Sequence, residues 1–192
     1  MKSICLSVVV ALAVSSLGCS THEVWQVTRY AHPNPLVGQT ELGVTPLDFA
    51  DLKVGEETES EYVARKGGDF RVKWRDDKAV MKALFEQKLR DRASYRGIRF
   101  VDVGDAPFVV HPRVTFLQRG YFGGAVRQRA RLKAVVDITT ADGRLIDQIV
   151  VTEIVENVED DRLNITAGAR MRRLAEKLGD HTAQYVAARV AG

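Results

Sequence analysis

Basic side chains occupy every second position along one stretch of this sequence: Arg127, Arg129, Arg131 and Lys133. Successive side chains of a β-strand point to opposite faces of a sheet, so a strand here would place all four cations on one face. Clustered cations attract anionic groups even when the net charge of the whole chain is small. The spacing predicts a contact face for an acidic partner, which His111 and Arg113 extend from a neighbouring strand. The alternative is a solvated sheet face whose charges prevent edge pairing.

Two adjacent aromatic residues, Tyr121 and Phe122, lie in the glycine-rich stretch 119–124. Exposed aromatic side chains on a turn often anchor a protein contact or a membrane interface, although they can also fold back onto a sheet. We therefore add both residues to the basic ones as candidates. The predicted partner-binding set is Arg113, Tyr121, Phe122, Arg127, Arg129, Arg131 and Lys133.

Residues that could perform catalysis or bind a metal are scattered. The four histidines lie too far apart in sequence for a helix-borne metal site: His22, His32, His111 and His181. The carboxylate pairs and clusters lie beside expected helix starts, turns or loops, where capping and solvation explain them. No nucleophile elbow or phosphate-binding loop is present. We therefore predict no enzymatic activity, no metal and no cofactor.

The total charge argues against nucleic acid as a partner. The 192 residues contain 28 basic and 25 acidic side chains, a formal net charge of +3. Binding to nucleic acid by bulk charge needs a much larger positive excess. We predict no nucleic-acid partner.

The N-terminus has the layout of a bacterial export signal. A lysine at position 2 precedes an apolar run over residues 4–14, and small residues follow before Cys19. The run is too short to span a bilayer, which requires roughly 20 residues, but suits a signal core of about 7–15. We expect residues 1–18 to be a signal peptide that is removed, residues 19–41 to be a tether, and residues 42–192 to form a single domain.

The cleavage region resembles the lipobox of bacterial lipoproteins. Gly18 and Cys19 match that motif, with Ser16 three positions before the cysteine and Leu17 one position closer to it than usual. The resemblance implies that Cys19 becomes the lipidated first residue of the mature chain. Ser20 after it implies the outer membrane, with the domain facing the periplasm. The alternative is an ordinary secreted protein in which Cys19 is a leftover thiol.

Hydrophobic periodicity predicts an α+β domain with two layers. Five strands are expected to form a mainly antiparallel sheet, at 42–49, 98–103, 108–117, 126–139 and 145–155. Thr58 and Glu61 have capping-box spacing and predict a short helix over 58–65. Two long amphipathic helices, predicted over 76–93 and 166–190, are expected to cover one face of the sheet. Pro112 suggests an edge strand or a bulge.

This order of elements is similar to that of small envelope lipoproteins. The residues concerned are the segment 45–49 (Thr-Pro-Leu-Asp-Phe), the segment 106–110 (Ala-Pro-Phe-Val-Val), and the Asp142-Gly143 turn between long strands. They resemble the curli-secretion-type (CsgG-like) periplasmic domain, including Pel-type exopolysaccharide-export lipoproteins. The resemblance implies a ring or accessory subunit rather than an enzyme. The membrane-spanning hairpins of the curli pore have no counterpart here.

Three functions follow as hypotheses. The first is a lipid-anchored accessory or structural interaction subunit of an envelope export or assembly system, with a protein partner or further copies of itself. The second is a carrier that binds a lipid or glycan between the sheet and the helices. The third, an envelope hydrolase, has the least support in the residues.

Overall fold

A computed structural model describes residues 24–123, 126–155 and 166–192. The strands in chain order are β1 (Trp25–Arg29), β2 (Glu41–Val44), β3 (Lys53–Val54), β4 (Glu57–Thr58), β5 (Arg99–Val101), β6 (Phe108–Gln118), β7 (Tyr121–Gly123), β8 (Val126–Gln128), β9 (Ala130–Thr140) and β10 (Leu145–Val155). The helices are α1 (Glu59–Lys66), α2 (Gly68–Ser94) and α3 (Ala167–Ala191), and a 3₁₀ turn covers Val103–Asp105.

Local capping determines where two of the helices begin. At α1 the Thr58 hydroxyl accepts a hydrogen bond from the Glu61 backbone N–H, and the Glu61 carboxylate accepts one from the Thr58 backbone N–H. This reciprocal arrangement satisfies two donors that a helix start otherwise leaves free. At α3 the Thr166 hydroxyl accepts from the Ala169 backbone N–H in the same way. The predicted capping box at Thr58 is confirmed.

The main sheet is mixed. Within the described residues it has eight strands, with β1-β10-β9-β6-β2-β5 as its path and with β3 and β4 attached beside β6. The pairs along β1, β10, β9 and β6 are antiparallel, whereas β2 is parallel to both β5 and β6. The α+β class is therefore confirmed, but the expectation of about five antiparallel strands with two helices was only roughly right. The short helix predicted over 58–65 is present as α1, beside the two long ones.

Helices α2 and α3 form a layer on one face of the sheet and run in the same direction. Asp77 of α2 lies beside Gly168 of α3, and eleven residues further along α3 the backbone at Gly179 reaches Phe85 and Leu89 of α2. A Cβ atom at Gly179 would lie 2.5 Å from the Phe85 carbonyl oxygen. The absence of a side chain at this position allows the two helix backbones to come close together.

The core lies between this helix layer and the sheet. Alternate residues of β9 are buried against it, from Ala130 to Ile138, and the helices contribute fully buried side chains such as Phe85, Leu89 and Leu174. The buried core residues lie between Leu36 and Val186, and the partly buried residues packed against them extend from Val24 to Val190. A chain that starts at Ser20 thus retains the whole described core.

The predicted tether contains a strand. Residues Trp25 to Arg29 pair with β10 at the edge of the sheet. Further along, the Asn34 side-chain amide donates to the Arg189 carbonyl over 2.7 Å, and the Gly38 N–H donates to the Val190 carbonyl over 2.9 Å. The segment from residue 25 to residue 38 is therefore fastened to both β10 and the end of α3.

Candidate functional site

The face of the sheet opposite α2 and α3 is the candidate site, and we call it the outer face. Residues directly opposite one another on paired strands lie on the same face. Three neighbouring rows can be followed across β6, β9 and β10 by their pairing: Gln118–Arg131–Ile154, Phe116–Lys133–Thr152 and Arg113–Val135–Val150. Each row combines polar or basic groups with an apolar or methyl-bearing side chain.

Three cations of the predicted set lie on this outer face. Arg131 and Lys133 are exposed and Arg113 is half-buried. Across the described ranges, none of the three forms an ion pair. The one carboxylate in the next row, Asp137, accepts a hydrogen bond from the Gln148 side-chain amide over 2.8 Å. Exposed Asp48, which bridges to Arg113, is a further carboxylate beside these rows. The cations still outnumber the carboxylates around Val135 and Val150, a composition that suits contact with acidic and apolar groups.

The predicted stripe of four cations was wrong as a single continuous face. The long strand expected over 126–139 is divided between β8 and β9, and Arg129 lies between them outside either strand. Arg127 belongs to β8, whose partner is β7 in a separate two-stranded sheet. Its side chain lies outside the described part. Of the four predicted cations, only Arg131 and Lys133 belong to β9.

The conformation of Gly120 explains why the expected long strand is divided into β8 and β9. Its φ of +68° is favourable for glycine, and a Cβ atom there would lie 2.7 Å from the Gln128 carbonyl oxygen and 2.8 Å from the Ala130 nitrogen. The chain after β6 therefore turns tightly against residues 128–130 and starts the small β7–β8 sheet. Tyr121 in β7 is 57% exposed. The Phe122 side chain lies outside the described part.

His111 belongs to the outer face and contacts hydroxyl groups. Its ring nitrogens lie 3.4 Å from the Thr45 hydroxyl and 3.0 Å from the Thr139 hydroxyl. Burial lowers the pKa of His111, while the nearby charge of Asp137 acts in the opposite direction. A neutral ring does not add to the positive charge of Arg113, Arg131 and Lys133.

The other titratable groups of the described residues do not assemble into a metal site. Across residues 24–123, 126–155 and 166–192, no cluster of three His, Cys, Asp or Glu side chains has a suitable arrangement. Cys19, His22 and the acidic cluster 159–161 lie outside the described residues. In the same ranges, no helix combines the length and apolar composition that crossing a bilayer requires.

Two buried acids on β10 were missed in the sequence. Asp147 is fully buried beneath α3 and accepts hydrogen bonds from the Tyr185 hydroxyl, from the Arg189 guanidinium and from the Ala31 backbone N–H, at 2.9, 2.6 and 3.0 Å. Burial and the Asp147 charge raise the pKa of Tyr185, and the hydrogen bond to Asp147 raises the pKa of Arg189. Asp147 thereby links β10, α3 and the segment after β1.

The second buried acid is Glu153, which is 1% exposed. It lies 2.5 Å from His181 Nδ1 and 3.9 Å from Lys177 Nζ. The alternation of side chains along β10 could have revealed both acids, because Asp147 and Glu153 lie on the same face of the strand as Ile149 and Val151. These contacts are within the core and fasten α3 to the sheet, so they support the fold that displays the outer face.

Several surface grooves lie on the helix side, and two of them adjoin the ends of α2. One, of about 540 Å³, lies between the ends of α2 and α3 and is lined partly by Trp25, Arg96 and Ala187. The other, of about 390 Å³, lies between α1 and α2 and is lined partly by Val63, Arg71 and Trp74. Both open to the surface, whereas the space between helices and sheet is filled by core side chains.

Comparisons with known proteins reveal distant likenesses of fold. No protein-family model matches the sequence, and no curated protein matches it. A minor lipoprotein from Acinetobacter baumannii is 16% identical with a TM-score of 0.46, over 78% of this chain and 93% of that one. The PelC dodecamer from Paraburkholderia phytofirmans is 9% identical with a TM-score of 0.42, over 81% and 96%. A hypothetical protein from Chlamydia trachomatis is 10% identical with a TM-score of 0.45, over 78% and 99%.

A lipoprotein and a Pel protein are thus among the structures to which the chain has a distant likeness. Membership of a family does not follow from likenesses at this level.

Proposed function

We propose that this chain is a lipid-anchored lipoprotein of the bacterial cell envelope that acts as a non-enzymatic interaction subunit of an export or assembly system. The observation that carries the proposal is the outer face. The helices cover one side of the sheet, and the other side presents Arg113, Arg131 and Lys133 around Val135 and Val150. Apolar groups surrounded by charges are typical of the surfaces through which proteins recognise one another.

The proposal includes a lipid anchor on Cys19. A thioether-linked diacylglycerol and an N-acyl group on Cys19 would hold the chain at a membrane, because each buried methylene contributes about 0.8 kcal/mol and several chains act together. The short connection from Cys19 to Trp25 would keep the domain beside that membrane. Ser20 favours the outer membrane, with the domain on its periplasmic side. A membrane-held domain with a basic contact face is suited to an acidic protein partner or to neighbouring copies of itself.

The outer face can be tested with two charge reversals. We expect Arg131→Glu with Lys133→Glu to leave the far-UV circular dichroism spectrum unchanged and to reduce partner recovery by roughly tenfold in cross-linking from intact cells. The matched control reverses two exposed cations of the helix layer, Lys88→Glu with Arg172→Glu, and should recover the partner as the parent does. Equal recovery by all three proteins would remove the outer face from the proposal.

The carrier alternative predicts a different behaviour in solution. Light scattering after size-exclusion chromatography of the chain starting at Ser20 should detect an oligomer if copies assemble through this face. A monomer that co-purifies with lipid would instead favour carriage, although the core between sheet and helices is filled by side chains.

A further inference from the structure

The corner formed by α1 and the start of α2 carries a dense positive charge. Residues 65–75 contain five basic side chains and one acidic one. Arg65 pairs with Glu57 over 2.6 Å, and Arg75 has only a contact of 3.5 Å with Asp76, in which both side chains are more than 60% exposed. Arg71 and Lys73 form no ion pair within the described part of the chain. We call residues 62–75 the basic corner.

An aromatic cluster lies beneath these cations and packs α1 against the start of α2. The rings of Phe70 and Trp74 stack at a centroid distance of 5.9 Å, and Tyr62 meets the Phe70 ring edge-on at 5.5 Å. The Arg119 guanidinium lies 5.1 Å from the centre of the Phe70 ring and donates to the Tyr62 hydroxyl over 3.3 Å. Val72, 53% exposed, projects from the opposite side of the helix to buried Trp74. Cations therefore flank an exposed apolar side chain.

The basic corner projects beyond the rest of the helix layer. The start of α3 lies level with Asp77 of α2, because Gly168 is adjacent to the Asp77 carboxylate. Helix α2 begins nine residues earlier, at Gly68. With a rise of 1.5 Å per residue, its first turns extend about 14 Å past the start of α3. A flat surface at this end would meet the basic corner before it met α3.

The direction of β1 shows at which end of the sheet the described chain begins. Trp25 pairs with Val151, and the Thr152 N–H donates to the Val24 carbonyl, so β1 begins towards the Val155 end of β10. At that same end β6 finishes and Arg119 stacks on Phe70. Cys19 is five residues before Val24, a span of at most about 18 Å. A lipid on Cys19 would therefore place the membrane at the end that carries the basic corner.

We propose that the basic corner docks on a membrane surface that contains anionic phospholipid, with Arg71, Lys73 and Arg75 among the headgroups and Val72 at the interface. The inference rests on the anchored lipoprotein proposed above. Cations near an anionic membrane each strengthen attachment, and an apolar side chain between them adds burial at the interface. Such a contact would fix the orientation of the domain and leave the outer face for a partner.

Vesicle sedimentation tests the proposal on the chain that starts at Ser20, which has no lipid of its own. The probes are phosphatidylcholine vesicles with and without phosphatidylglycerol. We expect the parent to prefer the anionic vesicles. The triple variant, Arg71→Glu with Lys73→Glu and Arg75→Glu, should bind them roughly 100-fold more weakly, because each cation contributes about fivefold. The matched control reverses three other exposed cations of α2 and the turn after it, namely Lys82, Lys88 and Arg96, and should bind as the parent does.

Two single tryptophan substitutions give a second readout that does not depend on charge reversal. With vesicles of brominated anionic lipid, Val72→Trp should add fluorescence that the lipid quenches. Tyr95→Trp, at the opposite end of α2 where Tyr95 is 82% exposed, should add fluorescence that is not quenched. Equal quenching of the two, or equal binding to both vesicle types by the parent, would overturn membrane docking.

A result in which the triple variant binds anionic vesicles as well as the parent would also overturn it and would leave the basic corner as a protein-contact surface. Because the tested chain lacks Cys19, these outcomes are independent of whether Cys19 is lipidated.

Discussion

Replacing Asp147 with alanine is expected to lower the free energy of unfolding by about 3–5 kcal/mol. The carboxylate is fully buried and accepts hydrogen bonds from Tyr185, Arg189 and the Ala31 N–H. Removing it leaves the Arg189 guanidinium, which is only 20% exposed, without its counter-charge. Urea unfolding followed by circular dichroism would measure the loss, and the segment after β1 should become more sensitive to protease than in the parent.

A surface ion pair supplies the matched control. Glu176→Ala removes the partner of Arg173 at a site where the two side chains are 54% and 32% exposed, and should cost no more than about 1 kcal/mol. The double change Asp147→Leu with Arg189→Met removes both charges and should recover most of the stability lost in Asp147→Ala. If Asp147→Ala proved as mild as Glu176→Ala, Asp147 would not hold α3 to the sheet.

Gly179→Ala is expected to destabilise the fold by about 1–3 kcal/mol, although alanine is the better helix former by about 1 kcal/mol. The added Cβ would lie 2.5 Å from the Phe85 carbonyl oxygen and 3.1 Å from the Leu89 nitrogen. Both are backbone atoms of α2, so the clash can be relieved only by moving one helix away from the other. Chemical denaturation of the two proteins compares their stabilities directly.

Gly68→Ala is the control for this prediction. Gly68 is also helical, and a Cβ atom there would meet nothing within 4 Å. We expect this variant to be as stable as the parent or slightly more so. A stabilising effect of Gly179→Ala similar to that of Gly68→Ala would contradict close backbone contact between α2 and α3.

Local signals predicted several elements well. The capping box at Thr58 and the turn at Gly143 both involve residues that are close in sequence, and the structure has a helix after the first and a hairpin at the second. Helix α2 begins at Gly68 rather than near Asp76, where the adjacent acids suggested a cap. Asp77 instead is buried, 3.7 Å from Arg119, a partner that is distant in sequence.

Non-local pairing explains most of the other differences. The expected first strand extended to Phe49, but β2 ends at Val44, and Asp48 makes only an isolated bridge to Arg113. The parallel pairing of β2 with β5 and β6 depends on a crossover through α1 and α2, which alternation within one strand does not encode. Pro112 lies within β6, a central strand, and the bulge falls between Val114 and Phe116.

The candidate site was predictable only in part, for the same reason. Alternation correctly placed Arg131 and Lys133 together on one face of β9. It failed at Arg129 because the tight turn at Gly120 ends the long strand pair at Gln118 and Arg131. The basic corner was missed because its aromatic cluster is completed by Arg119, which comes from a strand end more than forty residues further along the chain.

Metabolic labelling with palmitate in intact bacteria shows whether Cys19 carries a lipid. We expect the full chain to become labelled and to fractionate with membranes, and Cys19→Ala to be unlabelled and to leave the membrane fraction. An unlabelled parent that partitions in the same way as Cys19→Ala would contradict lipidation of Cys19.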